Sequence, residues 1–183
     1  MKPLITFLFL LPSVFAFCQT DEIVRILNRE LQNEIRTQKE DTLNYQGEKF
    51  EVLKKFSVKD SVLQVVTIKA DGTEDALVQT TMKILSLEVR KKNYYGKDFY
   101  TEKQEVDLSN IKAVIKDINI IFETEPDAVT ITRTDENGEK NVFAKNLFFL
   151  QLCYEKQNEH LASELISAFE KAGCEIKKGS WYD

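Results

Sequence analysis

Histidine is almost absent from this chain: His160 is the only one in 183 residues. A catalytic triad or a His-ligated metal site therefore has at most one member to draw on. Glycine is scarce too, with six residues, and no G-x-S-x-G, G-x-G-x-x-G or P-loop pattern occurs. That leaves little material for a phosphate cradle. Proline appears three times and cysteine three times, as Cys18, Cys153 and Cys174. No second histidine or cysteine stands at ligand spacing, so a zinc site is not expected. Asp135-Glu136-Asn137-Gly138 lacks the ligand spacing of an EF-hand. Basic residues are outnumbered, 25 against 30 acidic, for a net charge of −5. An acidic chain is a poor partner for nucleic acid or an anionic membrane, which are bound by clustered Lys and Arg. Lys54-Lys55, Arg90-Lys91-Lys92 and Lys177-Lys178 are short groups that read as solvated strand or loop ends.

What is present begins with a leader. Lys2 carries one positive charge, Leu4 to Leu11 is apolar apart from Thr6, and Pro12-Ser13 breaks the run. Ala16 and Cys18 place small residues at −3 and −1 of a cut before Gln19. Residues 1–18 thus read as a secretory signal peptide, too short to span a membrane stably. The pattern resembles that of exported proteins of Gram-negative bacteria. Periplasmic or secreted localisation is expected. Lipid anchoring through Cys18 is the lesser alternative, because Phe17 stands where a lipoprotein signal has a small residue. Residues 19–183 are then long enough for one well-filled core and read as a single domain.

The segment from Asn141 to Cys174 organises that domain. A dense apolar run, Val142 to Tyr154, precedes an amphipathic helix over 160–172. Leu161, Leu165, Ala168, Phe169 and Ala172 share one face, with Asn158 as N-cap and Gly173 as the left-handed C′ residue. A second helix is expected near 21–37, opened by Thr20-Asp21-Glu22 and striped by Ile23, Val24, Leu27, Leu31 and Ile35.

Between the helices the apolar period falls toward two. Strands are expected at 50–58 (with a bulge near 53–55), 62–68, 80–89, 111–116, 118–123, 128–134 and 140–149. Lys59-Asp60 reads as a tight turn, 107–110 as a single turn, and Asp135-Glu136-Asn137-Gly138 as the strongest hairpin signal. Short links between strands argue for antiparallel pairing. The fold class is therefore α+β: a bent or barrel-like antiparallel sheet of about seven strands with an N-terminal helix and a C-terminal amphipathic helix packed on it. In element order, residues 48–174 are similar to the pleckstrin-homology-like architecture, a bent sheet stoppered by one helix. The likeness implies a fold and no ligand.

Residues 90–105 are the least regular part and carry Tyr94, Tyr95, Phe99 and Tyr100. An aromatic loop between strands is a natural contact for a ligand or partner. Export allows a disulfide between Cys153 and Cys174. On an antiparallel strand and helix the two lie roughly 16 Å and 24 Å from Asn158, nearly level. Two buried thiols are the other outcome. The expected function is a non-catalytic exported module without cofactor or metal, binding an unidentified protein, glycan or small ligand. The alternative is a hydrolase in which two of Asp71, Asp75, Glu123 and Asp127 line one pocket beside a Tyr or Trp.

Overall fold

The computed structural model describes residues 12–40, 45, 47–68, 74–93, 98–153 and 158–182, without the side chains of 12–19, 65–68 and 74–78. The fold is α+β. Helix α1 spans Pro12–Glu40 and α2 spans Glu159–Lys171. Strands β1 (Phe50–Ile68), β2 (Glu74–Lys92), β3 (Phe99–Asp107), β6 (Val129–Asp135) and β7 (Lys140–Lys145) form an antiparallel sheet A in the order β1-β2-β3-β6-β7. Strands β4 (Ile111–Lys116), β5 (Ile120–Thr124), β8 (Leu147–Phe149) and β9 (Lys177–Trp181) form sheet B in the order β8-β5-β4-β9. None of the described helices is long and apolar enough to cross a membrane.

One hydrophobic cluster joins these layers. The inner face of sheet A contributes Leu85, Leu87, Val89, Val106, Val129 and Ile131; sheet B contributes Val114, Ile120, Phe122 and Phe148. The α1 stripe closes one side through Ile23, Ile26, Leu27 and Leu31. Leu161, Leu165 and Phe169 of α2 are at most 2 % exposed, and the Phe169 ring meets Phe122 edge-on at 5.4 Å. The helix thus lids the second half of the apolar run, where Phe148, Leu150 and Leu152 are buried. It ends in a Schellman motif: Gly173 at φ 78° lets Cys174 N–H reach Phe169 O and Gly173 N–H reach Glu170 O.

Several sequence expectations change. Lys59-Asp60 is not a turn: Lys59 pairs with Ile84 and Asp60 with Lys83, so the ladder runs on and β1 is one long strand. Because β3 pairs with β2 only over 84–92, the rest of β1 and β2 projects as a two-stranded arm, with Val62 and Leu63 exposed. Residues 90–105 are mostly strand, since β2 continues to Lys92 and β3 starts at Phe99. The run 140–149 is not one strand. It breaks at Asn146, leaving β7 at the exposed edge of sheet A and β8 at the edge of sheet B. Strand β9 was not expected, and it pairs parallel with β4. Helix α1 begins before Thr20, which lies within it. Asn158 precedes α2 but makes no side-chain cap; its Oδ1 accepts from the buried Lys116 ammonium at 2.9 Å.

Two carboxamides clamp extended backbone where ladders fail. The β1 ladder is irregular between Lys54 and Ser57. There Asn28 of α1 accepts from Phe56 N–H (3.0 Å) and donates to Phe56 O (2.9 Å). Gln104, 1 % exposed, treats Phe149 the same way at 3.0 and 3.3 Å. The second clamp ties sheet B to the inner face of sheet A. Burying each backbone pair with partners avoids a desolvation cost of about 1–3 kcal/mol per group.

Candidate functional site

Where the two sheets diverge they leave a cleft of about 1100 Å³. This is slightly above the ~300–1,000 Å³ range of small-molecule sites. Its first wall is the upper end of the inner face of sheet A. Strand periodicity carries Val89, Gln104 and Ile131 of the core upward to Lys91, Glu102, Tyr100, Arg133 and Phe143 on the same face. Its second wall is the face of sheet B that bears Glu123, Leu147 and Phe149. Tyr45, Glu48 and Phe50 close it from the chain leading into β1, and Gln151 and Cys153 from the chain after β8.

The floor is ionic. Lys91 and Glu102 are 6 % and 4 % exposed. The Lys91 ammonium lies 3.0 Å from Glu48 and 3.7 Å from Glu102, and Arg133 Nε donates to Glu102 at 2.9 Å. The Arg133 guanidinium is stacked against the rings of Tyr100 (5.1 Å) and Phe143 (5.3 Å), and Lys145 covers Phe143 at 5.7 Å. Burial first, then the Glu102 and Glu48 carboxylates, raises the Tyr100 phenol and keeps it protonated.

Behind this floor sits Glu34 of α1, fully buried. It accepts from Cys153 N–H at 2.9 Å, from the Cys153 thiol at 3.2 Å and from the Tyr45 hydroxyl. Burial, before any charge, pushes the Cys153 thiol up to about 12 and raises the Tyr45 phenol strongly. Both are proton donors to Glu34 and poor nucleophiles. A Cβ at Gly47 would collide with Cys153 Sγ and the Tyr45 ring, so the chain passes this cluster only as glycine.

Two non-glycine residues have left-handed backbone among the described residues, Asp127 (φ 56°) and Gln151 (φ 58°), and both line the cleft. Asp127 N–H is held by Asn146 Oδ1 at 2.9 Å. Strained backbone gathers at binding and catalytic sites because the surrounding fold must hold it there.

Of the aromatic loop, Tyr94 and Tyr95 lie outside the described residues. Tyr100 lines the cleft; Phe99 faces a separate edge beside Arg90, whose guanidinium stacks on it at 4.6 Å. Glu123 and Asp127 both line the cleft with Tyr45 and Tyr100 nearby, whereas Asp71 and the Asp75 side chain lie outside the described residues. Cys153 and Cys174 are free thiols, the first engaged with Glu34 and Tyr45, the second near Lys83 and Asp107. His160 is exposed on the first turn of α2. Lys91, Glu102, Arg133, Phe143 and Gln151 were not singled out as site residues. A signal did exist for Arg133, which continues the alternation of Val129 and Ile131. Comparison of the chain with protein-family models, curated proteins and solved structures finds no match.

Proposed function

We propose that the protein is an exported, non-catalytic binding module whose ligand occupies the cleft between the two sheets. The observation that carries this reading is the ionic floor. A sheet face that is otherwise core turns to Lys91, Glu102 and Arg133 where a packed end would hold apolar side chains, and it does so beside a cavity of ligand size. Burying the Lys91 and Glu102 charges, with Arg133 exposed beside them, rarely improves on apolar packing in stability, so a role in recognition accounts for it. Export rests on the leader pattern of residues 1–18. The pleckstrin-homology-like likeness is supported only by a sheet followed by an amphipathic helix, and no lipid or phosphopeptide site is taken from it.

The test is native mass spectrometry of the mature chain after incubation with small molecules from envelope extract. Wild type should retain a ligand. Tyr100→Ser with Phe143→Ser should lose it, and Phe99→Ser, outside the cleft, should keep it. Equal retention by all three proteins, or by none, rejects the reading.

A hydrolase is the second reading, favoured by the placement of Glu123 and Asp127 in one cleft. Both carboxylates are exposed at its rim. Turnover of a glycoside or peptide probe that disappears in Glu123→Gln and Asp127→Asn would establish it over binding alone.

A further inference from the structure

The free edge of β7 is complementary to itself, and we propose that it pairs antiparallel with β7 of a second copy of this chain, centred on Val142. An unpaired strand edge carries a row of open N–H and C=O groups and recruits another strand unless it is guarded. Other edges around the core are guarded. On β1 the ladder is irregular near Lys54, and Asn28 and Gln38 of α1 hold the backbone of Phe56 and Phe50. On β8 Gln104 takes both backbone groups of Phe149. Strand β9 is short, opens with Lys177-Lys178 and keeps an irregular register with β4. By contrast, β7 pairs with β6 without a break from Lys140 to Lys145, and none of its residues is buried.

The hairpin fixes which backbone groups of β7 are open. Asp135 N–H reaches Glu139 O across the turn, so these two form a hydrogen-bonded pair. Antiparallel pairs alternate, and Asn141, Phe143 and Lys145 therefore bond β6. Lys140, Val142 and Ala144 turn their N–H and C=O groups outward. Val142, at the middle, is 66 % exposed. A two-fold axis through Val142 sets it against Val142 of the second copy, and Lys140 against Ala144 of the second copy. Each such pair exchanges two N–H···O bonds, about six in all.

Charge selects this register. Glu139 stands opposite Lys145 of the second copy, and the symmetry repeats the pair. Among the described residues neither forms an ion pair within its own chain; Lys145 rests on the Phe143 ring. Sliding the strands by two residues in either direction puts Glu139 opposite Phe143 or Leu147 and loses both pairs. The lysines at 140 and 145 otherwise keep unrelated strands off this edge. Because the axis runs through the sheet, the two copies of sheet A join into one and both clefts open on the same side. Lys145 lines the cleft, so Glu139 of the second copy arrives at its rim. A ladder this short buries less than the ~1,200–2,000 Å² of a standard stable interface, so the dimer is reversible and concentration-dependent.

The test is sedimentation equilibrium of the mature chain at low salt, from about 1 μM to about 1 mM. Wild type should pass from monomer to dimer within that range. Val142→Pro removes an N–H that bonds nothing in the monomer. Its melting temperature in dilute solution should stay near wild type while association weakens at least about tenfold. Glu139→Lys and Lys145→Glu each set like charges opposite one another twice, and each should weaken association about tenfold. Mixed in equal amounts, these two variants regain both opposite-charge pairs in the heterodimer and should associate nearly as wild type does. Both substitutions fall on exposed residues, so this mixture decides the matter even if Val142→Pro melts early. A wild-type chain that stays monomeric up to about 1 mM, unchanged association in a folded Val142→Pro, or a mixture no stronger than its parts would each overturn the inference.

Discussion

On β6, Val129 and Ile131 are buried in the core, whereas Arg133, two residues further along the same face, borders the cleft. On β2, Leu87 and Val89 give way in the same manner to Lys91, and on β3 Val106 and Gln104 give way to Glu102. The alternation is unbroken across both ends of the face, so the backbone does not distinguish them. The difference lies in what stands opposite. At the lower end α1, α2 and Phe122 with Phe148 fill the space; at the upper end sheet B turns away at Asn146 and the space is left open. One end is packed with apolar side chains, and the other keeps the buried charges of Lys91 and Glu102 beside an open space.

The largest effect should come from the packed end. Phe122→Ala removes a fully buried ring between Phe148 and Phe169 and should cost about 3–5 kcal/mol in urea unfolding. Ligand retention per folded molecule should stay unchanged; a parallel loss would mean the two ends are not separable. Next in size is Glu34→Ala, which leaves the Tyr45 hydroxyl and Cys153 N–H without their acceptor. It should cost about 2–3 kcal/mol and also impair binding, because both donors stand at the cleft wall.

A smaller effect is pH-dependent. The Cys153 thiol is raised in the folded chain from 9.0 to about 12, so the folded state holds that proton longer than the unfolded state does. The contribution is fully present below pH 9 and falls away as pH rises toward 12. Cys153→Ser should flatten that decline in chemical unfolding measured across the window. A decline of the same slope would assign it elsewhere. The smallest effect belongs to the projecting arm, which neither end uses. Joining Lys59 to Ile84, its opposite residue, through Asn-Gly should change stability by less than about 1 kcal/mol, since a two-stranded ribbon adds little by itself. A large loss in that variant would make the arm part of the core.

Much of the packed end was legible in the sequence, because a single local pattern decides each piece. The 3.6 period of Leu161, Leu165 and Phe169 fixed α2, and Asp135-Gly138 with flanking alternation fixed the β6–β7 hairpin. In that hairpin Asp135 accepts from Asn137 and Glu139 N–H, and Gly138 takes φ 84°. The single turn before β4 was also foreseen, with Asp107 capping it through Ser109 N–H. The open end was not legible. It depends on Asn146 sending one apolar run into two sheets, and on charged residues meeting only through strand pairing across β2, β3 and β6. Lys59-Asp60 misled for a related reason: two charged residues in a long ribbon look like a turn until their partners, Ile84 and Lys83, are known. Phe99 and Tyr100 were noticed as aromatics, but alternation sends them to opposite faces, and Tyr100 alone reaches the cleft.

The most direct test of the division between the two ends is to make the open end resemble the packed one. Lys91→Met, Glu102→Leu and Arg133→Met in one protein replace the ionic floor with apolar side chains of similar length. Thermal unfolding with ligand retention, measured together, should show a melting temperature equal to or above wild type, as replaced buried ion networks often do, and no retained ligand. A markedly lower melting temperature with retention intact would contradict the account, placing the charged floor in the scaffold and the ligand elsewhere.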